Sequence, residues 1–407
     1  MGVFDGVTVN QLNGGLGRRN PSNDGVCLLV IHEAIAATGL AVNTALQLLS
    51  PQNAEDVGID ASYDDTNNIL AHYHIDEFFR VSPDGTLYVV LADNTFDDDM
   101  LKQVLRDNDD IRAVGIARNS NVAALDFSGY IGGYQNIVND LKAEHMRVDA
   151  VLVEGNEFDD QDPVSGYDDL RAEGAPNVSV VAVQDPAIRA IKAAYEGLAA
   201  IGTFLGGISV RSVNENLGSV DIQSKPAQYR GQTTYPLTDT GRGRWLSAVL
   251  QNGTPVSALS RNERISLDTK GYLFAGTYAG LAGVFISNSA TCEEFASDYA
   301  YIENNRVWNK AARLLRSAML PRVKSNLLKD ASTGFLRTSS VKELEQIGLN
   351  ALNTMESAGE ISGARVYINP QQTVNQQTPL VVKAQVVAND IIFDISIDLG
   401  LTNQITT

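Results

Sequence analysis

From Val26 to Leu198, short apolar runs and amphipathic helical runs succeed one another, and this alternation limits the fold more than any other feature. Cys27–Ile31 is a continuous apolar run, the pattern of a strand covered on both faces. His32, Glu33, Gly39 and Asn43 break up the apolar stretch to Leu49, so a strand and a following helix or second strand suit it better than a membrane span. Asp64–Arg80 reads as a helix with Ile69, Leu70, Tyr73, Phe78 and Phe79 inward. Pro83-Asp-Gly85 is a turn before a strand at Thr86–Leu91. Asp97–Leu105 has three Asp in its first turn, where the helix dipole favours them. Strands at Arg112–Ile116, Ala150–Val153 and Val178–Val183 alternate with a helix at Tyr134–His145. Asp185-Pro186 then suits an N-cap and first helical position, ahead of Ile188, Ile191, Ala194, Tyr195 and Leu198. This rhythm predicts the α/β (α+β) class, with mixed sheets flanked by helices.

Beyond Leu198 the pattern loosens. The polar, turn-rich stretch Asn214–Arg244 reads as a domain junction, and Lys270–Ile286, with four glycines, suits tight turns and close backbone approach. The last hundred or so residues, Asp298–Leu399, have the character of a module for contact with other chains. A helix over Glu303–Leu320 lines one face with Val307, Ala311, Leu314, Leu315 and Ala318, while Arg306, Lys310 and Arg313 share another. Three like charges in a row cost helix stability unless carboxylates sit opposite. The stripe is therefore either solvated or a docking face for another chain. A second helix opens on a capping-box pattern, Ser340-Val-Lys-Glu343, and buries Val341, Leu344, Ile347, Leu352 and Met355. At the end, Phe393, Ile395, Ile397 and Leu399 alternate with Asp394, Ser396 and Asp398. Such a strand is either an edge of its own sheet or one lent to a neighbour. The Gly- and Asn-rich first residues, with a short alternation at Val7 and Val9, fit an extended arm. The expected organisation is an arm at 1–22, the start of the core at 23–85, an α/β domain at 86–262, a C-terminal domain at 263–390 and a terminal strand at 391–407.

Composition narrows the function classes. A net charge of −18 argues against nucleic-acid binding and against anionic membranes. Fifteen acids against Arg80, Lys102 and Arg106 between Glu55 and Asp110 contrast with the basic Tyr301–Lys342 stretch. Either these are solvated faces, or they are complementary poles that meet between copies. Two cysteines, Cys27 and Cys292, suggest a reducing compartment and no disulfide framework. Met1–Gly6 shows neither a secretory n-region nor a myristoylation motif. The Gly-rich piece before Gly25 has no Gly-Lys-Ser/Thr, so it is not a phosphate loop. On a helix His72 and His74 point about 200° apart, too divergent to grip one metal. Glu154–Asp162 could hold calcium but lacks EF-hand spacing, and reads better as a solvated acidic loop. With four His and no nucleophile elbow, no nucleophile–base pair can be nominated and no cofactor or metal is expected. This does not exclude catalysis, and the alternative reading is an α/β enzyme or ligand-binding protein using the acidic loops around Asp97 or Asp159 with a metal.

The chain resembles the contractile tail sheath proteins of bacteriophages and related injection machines, in a divergent branch. The resemblance rests on an ordered series: Ser50-Pro-Gln-Asn-Ala-Glu-Asp-Val-Gly58, Lys270-Gly-Tyr-Leu-Phe-Ala-Gly-Thr-Tyr-Ala-Gly280, Ser297-Asp-Tyr299, Arg306 with Lys310, and Gly334-Phe-Leu-Arg-Thr338 before a helix and terminal strands. Phe335 and Leu336 intervene where the family usually sets Arg-Thr directly after glycine. The resemblance implies a structural subunit, not an enzyme, in a helical homopolymer of stacked rings around a tail tube. It implies a sheath-like C-terminal domain, extended terminal arms, and baseplate and tail-terminator proteins as further partners. It also implies assembly in the bacterial cytoplasm into a virion tail, with no nucleic acid and no membrane insertion. Val7, Val9, Phe393, Ile395, Ile397 and Leu399 would then be strand-exchange positions, and Arg306, Lys310 and Arg313 a surface for the tube or a neighbouring subunit.

Overall fold

The computed structural model describes residues 23–118, 127–155, 164–221, 236–375, 377–397 and 399–401. The arm at 1–22, with Val7 and Val9, and the acidic loop at 156–163 lie outside the described residues. The chain divides into two compact units, Met1–Arg313 and Leu314–Thr407. The division falls well beyond both the Asn214–Arg244 junction and the boundary at 263 suggested by the sequence.

The first unit is built on β1 (Val26–His32), β2 (Ala45–Leu48), β3 (Thr86–Ala92), β4 (Ala113–Ala117), β5 (Ala150–Glu154) and β6 (Val178–Val181). A short pair follows, β7 (Val183–Gln184) with β8 (Val249–Leu250), and then β9 (Tyr272–Leu273), which joins the main sheet. The seven strands run in the order β2-β3-β1-β4-β5-β6-β9. All neighbours are parallel except β2, which pairs antiparallel with β3. The mixed α/β class expected from the alternation is the one observed. The central β1 carries Cys27–Ile31 at 0% exposure, so both of its faces are covered and no polar alternation is possible. A two-residue pair, β10 (Ala275–Gly276) with β11 (Phe285–Ile286), occupies the glycine-rich stretch.

The helices of this unit are α1 (Pro51–Asp56), α2 (Ala61–Asn67), α3 (Ala71–Val81), α4 (Asp98–Asp107), α5 (Phe127–Ala143), α6 (Pro186–Arg189), α7 (Ile201–Val210) and α8 (Arg261–Thr269). The single helix expected over Asp64–Arg80 is two. Asn68 takes a left-handed C-cap, φ 57°, and the Asp64 carboxylate accepts from the His72 and Tyr73 amides, both at 2.9 Å, to start α3. Beyond Asp185, which caps α6 as expected, the helix lasts one turn and Ile191 is exposed. The main buried helix is instead α7. Its sequence, Ile201-Gly-Thr-Phe-Leu-Gly-Gly-Ile208, is apolar on every side because α3 and the sheet cover it. A Cβ at Gly202 would lie 2.1 Å from the His74 carbonyl oxygen, so glycine is what lets α7 and α3 meet backbone to backbone.

The second unit continues helix α9 (Ile302–Met319) from residue 314 and contains α10 (Thr338–Ser357) and a hairpin of β12 (Ile361–Tyr367) and β13 (Lys383–Ala388). Its small core joins Leu336, Val341, Leu344 and Ile368. The expected capping box at Ser340 is corrected: α10 starts at Thr338, and Glu343 pairs with Arg322. A true capping box stands at Ser260 and Glu263, opening α8. The Glu345 carboxylate is turned to other work, accepting from the Ile368 amide at 2.8 Å and so pinning α10 to the end of β12.

Replacement of Gly202 by Ala should cost about 1–3 kcal/mol in urea unfolding, because the clash is with backbone. Gly132→Ala in α5, where a Cβ meets nothing within 4 Å, should be neutral or stabilising by up to about 1 kcal/mol.

Candidate functional site

The basic face of α9 is where sequence reasoning placed its sharpest site residues. The structure finds the carboxylates opposite them within the same chain. Arg306 is 1% exposed. Its guanidinium donates to the carbonyls of Ser212 at 3.1 Å, Arg211 at 3.2 Å and Asp24 at 3.3 Å. Lys310 meets the Asp24 carboxylate at 2.6 Å. Arg313 bridges Asp24 at 3.1 Å and Asp149 at 3.0 Å. The stripe that the sequence left as either solvated or inter-chain is thus an internal lock between α9, the entry to β1 and the entry to β5. Arg306 in particular has no surface to offer a tube or neighbour. Asp24 and Asp149 were missed because each lies far along the chain from the helix it serves.

The electrostatics of the lock follow from burial. Burial raises the Asp24 carboxyl, but the Lys310 hydrogen bond and the charges of Lys310, Arg313 and Arg306 outweigh it and hold the group below its usual 3.8. At Asp149 burial wins over Arg313 and Arg306, and its pKa is raised. Burial lowers Arg306 against the pull of Asp149 and Asp24, although a guanidinium stays charged at any working pH.

Other candidate chemistry disperses. His72 faces Glu55 at 3.4 Å, while buried His74 accepts from the Gly202 amide at 3.3 Å, so the two rings diverge as helix geometry requires. Among the described residues no three His, Cys, Asp or Glu side chains gather as a metal site. Cys27 and Cys292 are buried and free, and burial pushes the Cys27 thiol up to about 12. No described helix is long and apolar enough to cross a membrane.

In the second unit the geometry is of a different kind. Strands β12 and β13 pair only with each other, so both outer edges of the hairpin lack a strand partner among the described residues. β13 is exposed along nearly its whole length. Arg365, Tyr367, Val382, Lys383, Ala384 and Gln385 line an open groove there. The chain then runs through Ile391–Ile397 with no strand ladder. Phe393 is 59% exposed, Ile395 70%, Ile397 80% and Leu399 91%. A run of apolar side chains this open to water is unfavourable unless covered, at roughly 25 cal/mol per Å² of apolar surface. An apolar segment outside any ladder and a hairpin edge with no strand partner among the described residues are the two halves of strand addition.

Arg306→Met should lose about 3–5 kcal/mol in chemical denaturation, because three buried carbonyls lose their donor and Asp24 and Asp149, though still paired with Lys310 and Arg313, lose a nearby positive charge. Asp24 is depressed in the fold, so its contribution is complete above pH 3.8 and fades as pH falls through the folded value. Asp24→Asn should therefore weaken the protein at neutral pH and flatten the acid limb of a stability-versus-pH curve.

Comparison with known proteins is consistent with a fold recognisable from end to end. A chain from the cryo-electron microscopy structure of the anti-feeding prophage (AFP) baseplate, 6-fold symmetrised, superposes with a TM-score of 0.60 at 14% identity. The match covers 98% of both chains. No curated protein matches the sequence significantly. The DUF2586 N-terminal domain matches residues 4–290 and the DUF2586 C-terminal domain residues 298–406, and the chain belongs to the DUF2586 family.

Proposed function

We propose that this protein is a structural subunit of a contractile injection machine or phage tail, and within it the sheath subunit that polymerises around a tail tube and contracts. The observation that carries the reading is the exposure of the apolar side chains from Ile391 to Leu399, in a segment that joins no strand ladder and a unit whose hairpin has no further strand partner among the described residues. The fold likeness to a chain of the AFP baseplate over nearly its full length supports the wider class. The motif order described above supports the sheath within it. On this reading the partners are other copies of the chain, joined by strand exchange through Phe393, Ile395, Ile397 and Leu399, together with tail tube, baseplate and terminator proteins. The chain then acts by assembly and rearrangement of contacts, without catalytic chemistry, in a tail put together in the bacterial cytoplasm.

A second reading is a baseplate component, favoured by the assembly from which the matched solved chain comes. Copy number separates the two, because a sheath subunit recurs in every ring and a baseplate protein only at one end. Electron microscopy of the purified protein should show striated tubes. A chain that stays monomeric at high concentration would refute the sheath reading. Deleting residues 391–407 should abolish polymerisation and leave the melting transition of the monomer within a few degrees of the intact chain. Tubes of unchanged length from the truncated chain would remove strand lending from the account.

A further inference from the structure

With Arg306, Lys310 and Arg313 committed inward, the cationic surface of the first unit has to be sought elsewhere. One side of α9 away from the lock carries Trp308, 39% exposed, with Tyr299 set edge-on to it at 6.3 Å. Two cations share the Trp308 ring: Lys142 Nζ lies 4.9 Å and the Arg147 guanidinium 5.1 Å from its centroid. Lys142 forms no ion pair with any described residue, and burial followed by the charge of Arg147 lowers its pKa. These groups, with Met146 and Asn177, line a recess of about 80 Å³. That is far below the roughly 300 Å³ at which small-molecule sites begin. It is room for the head of one side chain, and two cations on an aromatic wall select a carboxylate.

We infer that this recess receives an acidic side chain of a second copy of this chain, from the Asp97-Asp-Asp99 turn that opens α4. The assignment deepens the assembly reading above and rests on it. Charge complementarity singles out the occupant. The chain has 49 acids against 31 Lys and Arg, so an acidic patch of its own is the most abundant partner in any homopolymer. In that turn all three Asp are exposed. Asp97 caps the Met100 amide and Asp99 pairs with Lys102, while Asp98 makes no ion pair among the described residues. Recess and turn are different patches on one chain, so one copy's turn in another's recess leaves each copy a free recess or turn unless the two meet reciprocally across a two-fold. Without that closure the contact is head-to-tail and propagates into rings or helices.

The test uses the full-length chain. Lys142→Glu with Arg147→Glu should leave the circular dichroism of dilute protein unchanged, lower its melting by a few degrees through the lost contacts to Trp308, and raise the concentration needed for assembly at least tenfold. Adding Asp98→Lys and Asp99→Lys to the same chain should restore assembly. A direct readout comes from Trp308, since the other tryptophan, Trp245, is fully buried. Iodide quenching of Trp308 should fall several-fold when wild-type chains assemble, and the effect should vanish in Trp308→Phe. If wild type assembles and the recess variant assembles equally well, or is not rescued, or Trp308 stays as quenchable as before, the recess inference fails and the assembly reading stands. Binding of a single-stranded oligonucleotide at the recess in preference to a second copy would also overturn it. Wild type that never self-associates would overturn both.

Discussion

Arg306 is a full positive charge held out of water beside the central strand, and much of the first unit is arranged around making that tolerable. A guanidinium in such a place costs several kcal/mol unless every donor is answered. Here three backbone carbonyls take the two terminal nitrogens of Arg306 while its Nε is left without a partner, and two carboxylates take Lys310 and Arg313 beside it. These acceptors come from the start of β1, the end of α7 and the start of β5. One consequence concerns the first residues of the chain. Whatever precedes Asn23, its point of departure is fixed, because Asp24 is gripped by side chain and carbonyl together.

The same logic recurs on the other side of α7. Glu77 is fully buried and takes both arms of the Arg80 guanidinium at 2.7 Å, the Trp245 indole at 2.9 Å and the Thr203 hydroxyl at 2.9 Å. Arg80 then donates to the Leu237 carbonyl at 2.8 Å. Burial raises the Glu77 carboxyl, but the Arg80 hydrogen bond and charge, with Trp245 and Thr203, pull it below its usual 4.5. A network this fully satisfied rigidifies the packing of α3 on α7 and holds the polar stretch around Leu237–Trp245 against the core. The stretch that reads as a junction is, where it is described, part of the body of the unit.

What could be read from the residues follows the range of the physics. Strands covered on both faces are continuous apolar runs, so β1, β3, β5 and β6 were visible locally. α7 was not, because a helix buried on every side has no amphipathic period, and its glycines argue against a helix until the backbone of α3 is placed against them. The Ser340 box failed because a matching pattern does not say where the first turn begins, and Glu343 has a better partner in Arg322. The basic stripe was legible as a periodicity. Its meaning was not, since Asp24 and Asp149 are brought to it only by the tertiary fold. The terminal alternation from Phe393 to Leu399 was equally plain in sequence, and the structure adds the one thing sequence cannot give: these side chains face water.

The two units handle unpaired groups in opposite ways. In the first, the cations of the α9 lock and the Glu77 network are answered within the chain. In the second, a two-stranded hairpin, which is marginal alone, leans on α10, and among the described residues no further strand joins either of its edges and the apolar segment from Ile391 forms no ladder. A hydrophobic edge of that kind is an aggregation hazard in a protein meant to stay single. The chain tempers it with a net charge of −18, which makes encounters between copies repulsive unless geometry brings opposite charges together. In the proposed assembly, non-directional attraction at the apolar segment, checked by long-range repulsion, would favour the orientation in which acids meet cations. That combination is what an ordered polymer needs and an amorphous aggregate lacks. It explains why so acidic a chain can carry so bare an apolar end.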